Sequence, residues 1–110
     1  MVSEAIEFAL GDPTYSPTIR EICARFNINR RLLHYCFQEV LGVNPHTYLR
    51  SLRLNRASRD LRSPAIDMPG VSDIAAKWGF WHLPRFAAEY HALFGELPSK
   101  TRMPALLSTR

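Results

Sequence analysis

The stretch that decides the fold is TIREICARFNINRRLLHYCFQEVLGVNP, residues 18–45. Thr18 with Glu21 three residues later is a capping-box pattern, in which a hydroxyl and a carboxylate satisfy amides that open a helix. Ile19, Ile22, Cys23 and Phe26 then recur at helical spacing and form one apolar face. Asn27 tolerates the left-handed conformation that a tight turn between helices requires. Asn29 caps a second helix with an apolar face of Leu33, Phe37, Val40 and Leu41, and Gly42 ends it. Asn44 followed by Pro45 opens a long helix to about Arg62, where Ser63 and Pro64 stop it. Upstream, Val2 to Leu10 forms a short amphipathic helix closed by Gly11, Asp12 and Pro13. No apolar run alternates with period two, so the fold class is all-α.

The second half of the chain repeats the first. Ile19, Ile22 and Phe26 return 52 residues later as Val71, Ile74 and Trp78. Leu33, Phe37, Leu41, Gly42 and Pro45 return 53 residues later as Phe86, Tyr90, Phe94, Gly95 and Pro98. The one-residue difference falls in the turn between the helices, where Gly79-Phe80-Trp81 answers Asn27-Ile28. Two copies of a helix, a tight turn and a second helix are thus joined by a long helix. Pro64 to Gly70 reads as a linker.

A helix, a tight turn and a second helix make the helix-turn-helix pattern, in which the first helix braces the second for entry into a DNA major groove. The outward face of the second helix tests that reading. Opposite Leu33, Phe37 and Leu41, positions Arg31, His34, Tyr35 and Gln38 recur at steps that keep them on one stripe. All four donate hydrogen bonds, and a guanidinium such as that of Arg31 forks onto guanine O6 and N7. These four are the candidate base contacts of the first copy. In the second copy His82, Leu83, Pro84 and Arg85 are the candidates, with Leu83 and Pro84 suited to thymine methyls. Arg30 sits at the start of its helix and is a candidate phosphate contact, together with Thr18, Lys100 and Arg102. The second copy presents Ala88, Glu89 and Ala92 outward and is expected to read fewer bases, contributing through phosphate and shape.

Charge supports an anionic partner. The chain of 110 residues carries net charge +4, and only Lys77 and Lys100 of its 14 basic residues are not arginine. Residues 1–17 hold −3, residues 18–62 hold +6 and residues 63–110 hold +1. Such clustering favours nucleic acid over a membrane surface, because the apolar spacing is that of core. Arginines 50, 53, 56, 59 and 62 step along the long helix every three residues, so their stripe winds around it and some of them must be structural. Arg53, beside Leu54 with Ala57 and Leu61 continuing an apolar face, is one such.

Other function classes find little. A 46% apolar fraction excludes intrinsic disorder, and no apolar run approaches a membrane span of about 18 residues. Cys23 and Cys36 form neither a CxxC nor a disulfide framework, and the start of the chain lacks a basic leader, which fits a cytoplasmic protein. His82 and His91 are nine residues apart and the cysteines thirteen, which is not ligand spacing on one helix face, so no metal or cofactor is expected. No Gly-rich loop, nucleophile elbow or carboxylate pair suggests an enzyme. A helical protein–protein module using the same surfaces is the alternative. It would lack the steep salt dependence of phosphate neutralisation.

Ile22-Cys23-Ala24, Phe37, Gly42, Pro45, Tyr48-Leu49, Arg53-Leu54, Ala57, Leu61, Ile74-Ala75, Gly79-Phe80, Phe86, Gly95 and Pro98 together resemble the DNA-binding domain of AraC/XylS-type transcription regulators. The resemblance runs from about residue 4 to Arg102. It implies seven helices, at about 2–10, 18–25, 30–41, 45–62, 71–78, 83–94 and 98–103, in a double, homeodomain-like helix-turn-helix arrangement. It divides the chain into a first subdomain at 2–43, a linker helix at 44–63, a second subdomain at 64–103 and a flexible tail at 104–110. It further implies sequence-specific binding of double-stranded DNA, with recognition helices at about 30–41 and 83–94 in successive major grooves. RNA polymerase is an implied partner through a full-length regulator, whose effector or dimerisation domain would precede this C-terminal one. Tyr35 and Ala88 depart from the family's usual arginine, and Leu97 from its usual serine before proline. The string from Gly79 to Leu83, with Arg53-Leu54-Asn55, is similar to the subgroup of ethanolamine-utilisation regulators.

Overall fold

Seven helices make up the regular structure of residues 1–63 and 70–107, the part of the chain that the computed structural model describes. They are α1 (Val2–Leu10), α2 (Ile19–Phe26), α3 (Arg30–Leu41), α4 (Pro45–Arg62), α5 (Val71–Lys77), α6 (Leu83–Phe94) and α7 (Pro98–Leu107). The expected linker at 64–69 and the last residues of the expected tail, 108–110, lie outside the described residues. Residues 104–107 belong to α7 and are not tail. Packing divides the chain into two compact units, Met1–Leu52 and Arg53–Arg110, with the division falling inside α4.

Local sequence sets the helix ends. At α2 the Glu21 amide donates to Thr18 Oγ1 and the Thr18 amide donates to Glu21 Oε1, both at 3.1 Å, so both arms of the capping box close. The hydroxyl of Tyr15 also donates to that carboxylate, and this bond is the main reason the Glu21 carboxyl is held below the usual carboxylate range. Asn29 caps α3 by accepting from Leu32 N at 2.8 Å, and Asn44 accepts from Thr47 N at 2.8 Å at the start of α4. Both α3 and α6 end in a left-handed glycine, Gly42 (φ 71°) and Gly95 (φ 78°).

In the first unit Val2, Ala5 and Ala9 of α1 join Ile22, Leu33, Phe37 and Leu49 in one core. Phe37 meets Tyr48 edge-on at 5.8 Å, and Phe8 meets Phe26 at 6.1 Å. Full burial of the Phe37 side chain contributes roughly 1.5–3 kcal/mol through apolar area removed from water, and the half-buried Phe8, Phe26 and Tyr48 contribute less. Two members of the face expected for α3 are not in this core. Val40 is 65% exposed and Leu41 40%. They sit in the last turn of α3, past the buried Leu33 and Phe37, and the half-buried Cys36 packs on the core instead.

The second unit is organised around Asp60 of α4. Its Oδ2 accepts from Trp78 Nε1 and from Lys77 Nζ, both at 2.8 Å, which fastens the end of α5 to α4. Arg56, itself buried, lies over the Trp78 ring at 5.8 Å. Leu54, Ala57, Leu61, Ile74, Ala75, Phe86 and Tyr90 fill the core beside this network. The Tyr90 hydroxyl, between Ser58 Oγ at 3.0 Å and Thr101 Oγ1 at 2.9 Å, ties α6 to both α4 and α7. Arg53 places Nη1 3.7 Å from where a Cβ on Gly79 would stand, beside the turn after α5.

Asp60→Ala removes the acceptor of a buried indole N–H and should cost about 2–3 kcal/mol in urea unfolding. Lys77→Met leaves that bond intact and should cost under about 1 kcal/mol, as removal of a partly exposed ion pair does. Because the folded state lowers the Glu21 pKa, the benefit of the ionised carboxylate is complete above the unfolded value of about 4.3 and fades as pH falls through the lower folded value. The gap in urea midpoint between the native chain and Glu21→Gln should therefore shrink on going from pH 7 to pH 3. A gap independent of pH would contradict this account of the carboxylate.

Candidate nucleic-acid interface

Each unit presents one helix whose inner stripe is locked and whose outer stripe is exposed. In the first unit, Leu33 and Phe37 are buried, and a helix turns about 100° per residue. Arg31, His34, Tyr35 and Gln38 therefore lie on the far side, and all four are exposed, Tyr35 by 61%. The structure brings these four sequence-predicted residues onto one surface. Arg30 is exposed at the first position of α3. Thr18 is exposed too, at the N-cap of α2, where its oxygen accepts from Glu21 N.

The second unit repeats the geometry with different chemistry. Phe86 and Tyr90 are buried, in an aromatic row that runs from Phe80 through both to Phe94 at centroid spacings of 4.9, 5.8 and 4.5 Å. His82, Leu83, Pro84 and Arg85 are all exposed around the helix start. His82 is the N-cap of α6, its Nδ1 accepting from Arg85 N at 3.1 Å. An accepting Nδ1 puts the proton of the neutral ring on Nε2, so the cap also fixes which donor the imidazole offers outward. Ala88 and Ala92 are exposed as expected, whereas Glu89 is half-buried and does not belong to the outer face.

Arg102, expected on a phosphate, is only 4% exposed. Its Nη1 donates to the carbonyls of Asp60, Leu61 and Ser63 at 3.3, 3.1 and 2.8 Å, closing the end of α4 where helical carbonyls lack partners. Lys100, two residues earlier on α7, is exposed. His91 is exposed 53 residues after Gln38, at the matching place on the outer stripe of α6. The repeat offset alone would have found it. Among the described residues, no group of three or more His, Cys, Asp or Glu stands close enough to hold a metal, and no helix is long and apolar enough to cross a membrane.

Comparison with known proteins gives this geometry a family. A model described as "Helix-turn-helix domain" matches residues 22–103. A probable AraC family transcriptional regulator from Rhodopseudomonas palustris superposes with a TM-score of 0.80 at 30% identity, over 94% of this chain and 95% of that one. The chain is a helix-turn-helix domain of the AraC family. Its relatives are transcription regulators, and it is not an enzyme. A probable thc operon regulatory protein of Rhodococcus erythropolis is 32% identical over 100 residues, 91% of this chain, and the chain spans 30% of that regulator's length. The DNA-binding domain of AdpA, solved in complex with a target DNA, shares the fold at 22% identity with a TM-score of 0.73, over 94% of this chain and 90% of that one. The all-α, seven-helix architecture of this AraC-type domain is thus as the sequence implies.

The double role of His82 separates fold from recognition. His82→Ala removes the cap of α6 and should cost about 1 kcal/mol of stability. His82→Asn supplies another good cap, so it should melt like the native chain while losing whatever the imidazole contributes to a ligand. Equal melting of the alanine and asparagine variants would show that the cap is not what holds the start of α6.

Proposed function

We propose that this AraC-family domain binds double-stranded DNA sequence-specifically, as the C-terminal part of a longer cytoplasmic transcription regulator, with α3 and α6 each reading a major-groove segment. The observation that carries the proposal is the exposed stripe Arg31, His34, Tyr35 and Gln38, backed by the buried Leu33 and Phe37. A helix so braced keeps its donors fixed while the opposite face holds it to the core, which is what base readout requires.

Within this reading Arg31 forks onto a guanine, and His34, Tyr35 and Gln38 contact neighbouring base edges. In the second unit Arg85 and the Nε2–H of His82 supply the polar contacts, Leu83 and Pro84 the apolar ones, and His91 extends the stripe. Arg30, Thr18 and Lys100 bind phosphates and set register without reading sequence. The share of the thc operon regulator left uncovered supports a further effector-binding or dimerisation domain outside this chain, and RNA polymerase would be engaged by the full-length regulator.

Selection of bound duplexes from a random pool, followed by sequencing, tests the whole reading. Arg31→Ala should weaken binding to the selected duplex by about 1–3 kcal/mol and relax preference at one base pair. Arg30→Ala should weaken selected and unrelated duplexes alike and make the salt dependence shallower by about one unit of log–log slope. Unchanged preferences in the Arg31→Ala pool would remove Arg31 from the base readers, and failure to enrich any sequence with the native chain would remove sequence-specific binding.

A further inference from the structure

The two helix-turn-helix units differ by one residue, and the structure identifies it. Asn27 (φ 54°) and Gly79 (φ 86°) hold equivalent left-handed positions. The next residue in each case, Ile28 or Phe80, packs on its core and returns its amide to a carbonyl five residues back, at 3.0 Å to Cys23 O and 2.9 Å to Ala75 O. The N-caps also correspond, since Asn29 accepts from Leu32 N as His82 accepts from Arg85 N. Between Phe80 and His82 stands Trp81, for which the first unit has no counterpart.

Trp81 is 82% exposed, whereas Trp78 three residues earlier is 3% exposed and held by Asp60. An indole so open to water adds little to folding, since hydrophobic stabilisation scales with area removed from water. It stands immediately before the cap of α6, beside the exposed Leu83, Pro84 and Arg85. A recognition helix reaches bases with its N-terminal residues, so the residue just ahead of it meets the wall of the groove. That wall is deoxyribose and phosphate. An indole offers apolar faces to the sugar carbons and one N–H donor to a phosphate oxygen, with no charge. The outer stripe of α6 is poor in polar side chains, with Ala88 where α3 has Tyr35, so this unit has more need of affinity from the backbone.

We propose that Trp81 is a sugar–phosphate anchor of the second helix-turn-helix unit, packing on the deoxyribose backbone of bound duplex DNA and adding affinity without adding sequence preference. The proposal rests on the DNA-binding reading above. Its signature differs from that of a basic phosphate contact, because a neutral anchor releases no counterion and leaves the salt dependence unaltered.

The test uses the 110-residue chain with a duplex recovered by selection and an unrelated duplex of equal length. Trp81→Ala should melt like the native chain yet raise Kd for both duplexes about tenfold, the loss typical of truncating an aromatic anchor at an interface. The ratio of the two Kd values and the salt slope should stay as in the native chain. Tryptophan emission of the native chain should shift to shorter wavelength on adding either duplex, and the shift should vanish in Trp81→Phe, which retains only Trp78. Native affinity in Trp81→Ala, or an emission shift that persists in Trp81→Phe, overturns the anchor while leaving DNA binding intact. A selective loss on the selected duplex overturns it in favour of base contact. A native chain that binds neither duplex ends the DNA-binding reading and the anchor with it, a result that needs no variant to recognise.

Discussion

Three residues separate α2 from α3 and five separate α5 from α6, and in both units the turn is made by a residue in the left-handed region, Asn27 and Gly79. Each lets the next amide turn back to the preceding helix, Ile28 to Cys23 and Phe80 to Ala75, before a capping side chain starts the new helix. Everything offered to a ligand depends on this constraint. It sets the rotation at which α3 and α6 begin, and so decides which of their residues face the core. Leu33 and Phe37, or Phe86 and Tyr90, then fill the inner side and the remainder follow by helical geometry.

The two units spend the same scaffold differently. On α3 the outer stripe is built from hydrogen-bond donors, Arg31, His34, Tyr35 and Gln38. On α6 the exposed start carries Leu83, Pro84 and Arg85, followed by Ala88. Hydrogen bonds to base edges discriminate between sequences, while contacts with sugar and phosphate chiefly hold and orient. In the proposed DNA-binding reading, the chemistry of the side chains would give more of the discrimination to the first unit and more of the attachment to the second.

Much of this was legible in the sequence because it is decided locally. The Thr18–Glu21 box, the Asn29 and Asn44 caps and the glycines at 42 and 95 each act within a few residues, and the start of α2, both ends of α3, the start of α4 and the end of α6 follow from them. The outer stripe of α3 was legible for the same reason, since periodicity alone separates it from Leu33 and Phe37. What was not legible depends on partners far along the chain. Val40 and Leu41 carry the right spacing for burial but fall beyond the reach of the core. Arg102 looks like a phosphate ligand by type, yet its acceptors lie 39–42 residues away, and nothing near it in sequence announces them. His82 as a cap is an intermediate case, because imidazole is not among the usual capping residues.

The three carbonyls taken up by Arg102 also bear on where this module can be cut. A guanidinium from α7 finishes the C-terminal end of α4, so the last helix is part of how an earlier one terminates rather than an appendage to it. The stretch shared with the family runs to residue 103, one residue past that arginine. A gene fusion or a frameshift between the second recognition helix and Arg102 would thus leave both helix-turn-helix sequences intact and still deprive α4 of its ending. The genetic unit that can be transplanted is longer than the two motifs it displays.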